Sequence, residues 1–370
     1  MVHRYFIFAV ALLVVGGVWY YQYSYYRSPI VEEAVVEASH RVIEETDGVK
    51  HSIPLEDIQV GNPNKDGIPS IDEPVFESIY TADQYLDDNG LGLMVEVSGR
   101  YRFYPYQILV WHEIVNDTFM GEELLVTFCP LCYTGIVFDR EVEGDVLEFG
   151  VSGKLWNSNL LMYDRATESY WSQALGEAVV GEKTGTVLED YPWLIVSWDT
   201  FKTNYSSGQV LSRDTGFNRD YTQDPYEPEG YYESADVWFT LSNEDGRLHA
   251  KEFVYGYDTG DFAKAYSEKD VKEIGIINDQ VGDEYLLVFW DDNLETVRAF
   301  SRQVDGNVLS FEKTDDFLRD TTTESLWNFD GEAVSGDHRG IGMSTLILEP
   351  SFWFSWATSY PQTEIYQTEN

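Results

Sequence analysis

Residues 126–140 read VTFCPLCYTGIVFDR. The apolar run 124–128 ahead of the first cysteine has the character of a buried strand. Pro130 has no N–H to give to a ladder, so Cys129-Pro130-Leu131-Cys132 turns off the strand end. Strand character resumes at 134–138. The only two cysteines of the 370-residue chain, Cys129 and Cys132, therefore stand at the lip of a sheet. The segment continues through EVEGDVLEFGVSGKLWNSNLLMYDR and closes on ATESYWSQ at Gln173.

Working outward, this segment occurs twice. At one constant offset and without a gap, Asn116-Asp117 falls on Asn278-Asp279, and Glu122, Leu124 and Leu125 fall on Glu284, Leu286 and Leu287. Phe138-Asp139-Arg140 falls on Phe300-Ser301-Arg302, and VEGDVL at 142–147 on VDGNVL at 304–309. After a short deletion, Thr167-Glu168-Ser169-Tyr170-Trp171 pairs with Thr323-Glu324-Ser325-Leu326-Trp327. Gly176-Glu177-Ala178 then pairs with Gly331-Glu332-Ala333, and Ser197-Trp198 with Ser355-Trp356. A repeat of this length is a duplicated domain and not a solenoid. The expected fold is α+β and β-rich, two tandem copies of one duplicated domain preceded by a single N-terminal transmembrane helix. The expected boundaries are 1–27 for a signal anchor, 28–66 for a stalk or linker and 67–210 for the first repeat. An inter-repeat connection at 211–252 leads to a second, degenerate repeat at 253–370. That second copy has Asp291 for Cys129, Leu294 for Cys132, Ile274 for His112 and Gly275 for Glu113. Special chemistry is thus expected in the first copy.

Smaller elements frame the segment. Residues 81–88 read as a short capped helix. Residues 94–97 and 101–104 form a hairpin around Ser98-Gly99, and Pro105 opens a helix over 106–115.

Residues 5–21, YFIFAVALLVVGGVWYY, carry no charge and are followed by a tyrosine-rich belt. The pattern predicts an uncleaved, single-pass anchor in the cell membrane with the bulk of the chain extracellular. A cleaved signal peptide is the alternative. Asn116-Asp117-Thr118 and Asn204-Tyr205-Ser206 are glycosylation sequons usable only on that side. Acidic residues number 65 against 24 basic ones, for a formal charge of −41. That balance excludes nucleic acid as a partner and points to an acidic surface kept soluble at high salt, that of a halophilic, archaeal source. An ordinary acidic secreted protein has the same composition.

The candidate site residues are His112, Glu113, Cys129, Cys132, Trp156, Asn157, Asp164, Trp171 and Gln173. Three readings of the cysteines stand: a metal site with His112 as third ligand, for copper or zinc; a redox pair or plain disulfide; and a site in which one cysteine matters. The aromatic and amide cluster suits a small ligand or protein partner equally with turn capping. Phosphate loop, nucleophile elbow and H-E-x-x-H are absent from the sequence.

HEIVND, VTFCPLCYTGIVFDR, GVSGKLWNSNLLMYDR and SYWSQALGEAVVG, with GIPSIDEP and RYRFYPYQIL, resemble the family of domain of unknown function 3179. The resemblance runs from about Gly67 to Tyr360. It implies a prokaryotic protein, exported or membrane-anchored, of no established activity. It also implies that Cys129, Cys132, His112-Glu113, Trp156-Asn157 and Trp171-Ser172-Gln173 occupy the family's recurrent positions.

Overall fold

The computed structural model describes residues 41–367, which lie within one compact unit, Ala38–Asn370. The expected anchor falls outside the described residues. Among the described residues no helix is long and apolar enough to cross a membrane. The chain is β-rich, with several sheets and short helices.

The elements that place the cysteines are as follows. Strands β1 (Leu91–Val97) and β2 (Arg100–Pro105) form the expected hairpin. Its turn, Ser98 at φ 51° and Gly99 at φ 74°, is the left-handed pair that a two-residue hairpin needs. Helix α1 (Tyr106–Leu109) follows Pro105. Next come β3 (Ile114–Phe119), β4 (Glu122–Cys129) and β5 (Thr134–Asp139), one antiparallel sheet in that order. A meander of β6 (Phe149–Trp156), β7 (Asn159–Asp164), β8 (Tyr170–Ser172) and β9 (Glu177–Val180) completes the segment. Strand β10 (Trp193–Ser197), helix α2 (Trp198–Asn204) and β11 (Gln209–Leu211) return the chain to the hairpin, giving the order β10-β1-β2-β11 with β11 parallel to β2.

The second half has the same order of strands. Strands β12 (Phe253–Asp258) and β13 (Ala263–Ser267) precede α3 (Glu268–Ile274). The sheet β14 (Ile276–Val281), β15 (Glu284–Asp291) and β16 (Thr296–Ser301) follows. The meander is β17 (Phe311–Lys313), β18 (Leu318–Asp320), β19 (Leu326–Trp327) and β20 (Ala333–Ser335). Strand β21 (Glu349–Phe352), helix α4 (Trp353–Ser359) and β22 (Glu364–Ile365) close the order β21-β12-β13-β22, with β22 parallel to β13. Buried polar contacts recur too. The Asn116 side chain bonds both backbone groups of Phe149, and that of Asn278 both backbone groups of Phe311. The Tyr104 hydroxyl donates to Asp117, and the Tyr266 hydroxyl to Asp279.

Several expectations are corrected. The helix expected over 106–115 stops at Leu109, because Ile114 and Val115 are β-branched and the whole of Ile114–Phe119 pairs with β4. The helix expected over 81–88 is the single turn Ile79–Ala82, capped by Ser78. The expected stalk contributes strands: Val49–His51 pairs with β9 and Gln59–Val60 with β6. Asn116 is 3% exposed within β3, so that sequon offers no acceptor, whereas Asn204 is exposed at the end of α2. Asp291, the counterpart of Cys129, is buried and paired with Arg298.

Candidate functional site

The last six residues of β4 are buried, so the strand delivers Cys129 into the interior and not to an open lip. Cys129 pairs with Thr134 across the sheet, and the Cys132 amide closes the turn on the Cys129 carbonyl at 3.2 Å. Tyr133, at φ 54°, sends the chain back into β5. Both thiols are free and buried, Cys129 at 2% and Cys132 at 0% exposure. The Cys129 thiol donates to the Cys132 sulfur at 3.3 Å, against about 2.05 Å for a disulfide. The Asn159 side-chain amide donates to the Cys132 sulfur at 3.4 Å, and the Ser158 carbonyl lies 3.3 Å from it.

The two sulfurs differ electrostatically. Burial pushes Cys129 up, and its thiol is further held protonated by the bond to Cys132 and the charge there. Burial acts on Cys132 in the same sense. Donors from Cys129, Ser355 and Asn159 together outweigh it, so Cys132 lies below the usual thiol range. Cys132 is the thiol that ionises first.

Glu113 belongs to the same pocket. It takes a left-handed backbone conformation, φ 59°, in the turn between α1 and β3. That conformation costs a glutamate on the order of 1 kcal/mol. Its carbonyl accepts from the Phe128 amide beside Cys129. Burial, then the charge on Cys129, raises its carboxyl well above the usual range. Among the described residues that carboxyl makes no hydrogen bond. It is an acid 7% exposed, whose protonated form burial favours.

His112 does not join the cysteines. It sits in the turn after α1, where Nδ1 lies 2.8 Å from the Pro69 carbonyl and Nε2 lies 2.7 Å from the Tyr221 hydroxyl. A carbonyl only accepts, so Nδ1 carries the proton and Nε2 accepts from Tyr221. Burial holds the ring neutral by lowering its pKa. Both nitrogens are thus used, and among the described residues no group of three His, Cys, Asp or Glu side chains is placed to hold a metal ion. The expected three-ligand site of Cys129, Cys132 and His112 for copper or zinc is therefore not formed.

The Gln173, Asp164 and Trp171 part of the aromatic and amide cluster is bonded as scaffold, whereas Trp156 Nε1 and Asn157 Nδ2 are buried without a partner among the described residues. Gln173 accepts from Asn159 at 2.8 Å and donates to Thr127 Oγ1 at 3.0 Å and the Thr134 carbonyl at 3.2 Å. Asp164 caps its own turn through Thr167 and accepts from Trp171 Nε1 at 3.0 Å. Asp320 holds Thr323 and Trp327 in the second half in the same way. Arg165 pairs with Asp72 and Glu148. Asn157 and Ser158 form the β6–β7 turn, both at positive φ, and Asn157 Oδ1 accepts from the Ser242 amide at 2.8 Å. Trp156 packs on Ile53, Leu161 and Val179, away from the sulfurs.

Sequence reasoning missed Asn159, Ser355 and the carbonyl of Ser158. Asn159 was within reach, being the second asparagine of the quoted WNSN. Ser355 comes from α4 in the second half, and its match with Ser197 gives no sign of a contact with Cys132.

The family described as protein of unknown function (DUF3179) matches residues 65–363, and the chain belongs to that family. No curated protein and no solved structure matches the chain.

Proposed function

We propose that this family member is a membrane-anchored, extracellular protein whose first half carries a two-electron thiol/disulfide couple, Cys129/Cys132, with Glu113 as its proton carrier. The observation that carries the reading is the 3.3 Å contact of the two sulfurs, with buried Glu113 held at positive φ in the turn whose carbonyl accepts from Phe128 beside Cys129. In the reducing direction, the Cys132 thiolate attacks one sulfur of a disulfide in another molecule and the other sulfur leaves as thiolate. Glu113, protonated at rest, gives its proton to that leaving thiolate and, now a carboxylate, takes the proton of Cys129 as Cys129 attacks the Cys132 sulfur. The mixed disulfide breaks, Cys129–Cys132 closes, and the partner departs as a dithiol after taking up two protons.

We further infer that the two halves are copies of one ancestral domain, with the second copy a scaffold. Their equal strand orders and matching Asn, Tyr and Asp contacts support this. The hydrophobic run at 5–21 supports the anchor, and the charge of −41 supports a halophilic, archaeal source. A binding module built on the Trp, Asn and Gln cluster has less support, because Gln173 spends its amide on Asn159, Thr127 and Thr134, and Trp171 its N–H on Asp164.

The test is equilibration with oxidised and reduced dithiothreitol, followed by acid quench, maleimide labelling under denaturing conditions and intact mass. The expected result is reversible interconversion of a species with two labels and one with none. Glu113→Gln should slow exchange by about 100-fold or more, the range of a positioned acid or base. A pair that keeps two labels at every ratio, or a Glu113→Gln rate equal to wild type, refutes the reading.

A further inference from the structure

Among the described residues both cysteines are buried, Cys129 at 2% and Cys132 at 0% exposure. Ser158, Asn159 and Ser355 meet the Cys132 sulfur, and the connection between the halves packs on the turn that carries it, at Leu131. From Tyr221 to Ser242 the connection holds one three-residue 3-10 turn, Glu227–Glu229, and no strand. It is nonetheless pinned at specific points. Tyr231 is fully buried and donates its hydroxyl to the carbonyl of Leu131, the residue between Pro130 and Cys132, at 2.8 Å. The charges of Cys132 and Cys129 act on that phenol and help burial to hold it protonated. Trp238 crosses the ring of Tyr231 at 4.5 Å between centroids and stacks on Tyr226 at 5.7 Å. Tyr232 meets Tyr133 edge-on at 5.3 Å.

The backbone of this segment is held by single side chains. Gln59 gives and takes one bond each with Thr240, at 3.0 and 3.1 Å. Asn157, in the turn above the sulfurs, takes the Ser242 amide. Lys251, 7% exposed, donates Nζ to the carbonyls of Tyr231 and Asp236 and sits 3.4 Å from the Tyr231 ring centroid. A buried lysine that spends its donors on two backbone carbonyls acts as a latch on the segment it holds.

We propose that residues 221–242 are a displaceable cover over Cys129 and Cys132, seated where an extended polypeptide bearing a disulfide would dock, with Tyr231 as its anchor and Lys251 as its latch. This rests on the thiol reading above. The cover is attached as a bound peptide is: aromatic contacts centred on Tyr231, side-chain bonds to its backbone, and no ladder. Segments without ladder bonds open locally at free energies well below global unfolding. The strands beneath, β4 and β5, are laddered and buried, so opening leaves the thiol turn in place.

The experiment is native-state labelling of the full chain with iodoacetamide, read by peptide mass, for wild type, Lys251→Met and Tyr231→Phe. Urea midpoints are measured alongside. Labelling of Cys132 should accelerate about tenfold in each variant, more than any loss of global stability accounts for. In wild type, hydrogen exchange at 221–242 should be faster than in β4 and β15, which covers the case in which a variant fails to fold. Equal labelling rates in the three proteins overturn the cover, as does acceleration that tracks the urea midpoint alone, or exchange at 221–242 as slow as in β4. Accelerated labelling without reversible disulfide formation in dithiothreitol buffers keeps the cover and overturns the redox couple, so the two failures are distinguishable.

Discussion

Gln173→Leu tests whether the amide network and the thiol pair are one unit. Gln173 is fully buried, and leucine is close enough in volume that no large cavity opens. The substitution removes the acceptor of Asn159 Nδ2 at 2.8 Å and the donor to Thr127 Oγ1 at 3.0 Å and Thr134 O at 3.2 Å. Asn159 Nδ2 then has only the weak contact to the Cys132 sulfur at 3.4 Å. A stranded buried donor costs about 1–3 kcal/mol, and each lost bond about 1 kcal/mol. Relief from burying the glutamine amide itself returns roughly 1 kcal/mol. The expected net loss is about 2–4 kcal/mol, a large share of the 5–15 kcal/mol that holds a typical domain. Urea unfolding at high potassium chloride, followed by fluorescence of the 11 tryptophans, gives the number. Release of Asn159 also weakens a donor that lowers Cys132, so the pH midpoint of Cys132 alkylation should move up. A stability change under about 0.5 kcal/mol, with an unmoved midpoint, would refute the coupling.

Asp164→Ala and Asp320→Ala should each destabilise by about 2–4 kcal/mol, because each strands a buried tryptophan N–H and a capped turn. The pair should be additive, since they share no partner, and a strongly unequal pair in urea melts would argue against equal turn roles in the two halves. Glu113 gives a pH signature. Its folded pKa is raised well above 4.5, so from about pH 4.5 upward the folded state holds a proton that the unfolded chain has lost. Stability therefore falls as pH rises through that window. Glu113→Gln should gain on wild type with rising pH, and a flat difference between pH 4.5 and 8 would place the carboxylate in solvent.

What was legible in the sequence was what local chemistry decides. The CPLC turn followed from Pro130, the hairpin from Ser98-Gly99, and the strand pairs from apolar runs with turn residues between them. The equivalence of Asn116 with Asn278 and of Trp171 with Trp327 singled out groups that serve the same contacts in both halves. The helix over 106–115 was misread because its apolar spacing fits a helix, while the pairing of Ile114–Phe119 with β4 is a tertiary fact. His112 was assigned to the cysteines on chain proximity, yet its partners come from Pro69 and Tyr221, far along the chain in either direction. Lys251 carries no local pattern, and the match of Ser355 with Ser197 gives no sign of a contact with Cys132. They reach the site through the connection and the second half, and no periodicity reports such contacts.

On the proposed duplication, the second half offers a comparison for the proposed thiol site. Gly275 stands where Glu113 does and takes the same left-handed turn, φ 82°, at little steric cost. Its carbonyl accepts from Trp290 as that of Glu113 accepts from Phe128. At the places of the cysteines, Asp291 caps the turn through the amides of Asn293 and Leu294 and pairs with Arg298. The same backbone is thus built there from ordinary turn chemistry, with its buried charge neutralised. Nothing in the fold requires a glutamate in a strained conformation, an acid without a hydrogen bond, or two thiols within 3.3 Å. Strain and an uncompensated buried acid persist where the surrounding structure enforces them and chemistry uses them. Cys129, Cys132 and Glu113 depart from the scaffold together, at one spot, and that joint departure is the physical argument for placing the chemistry there.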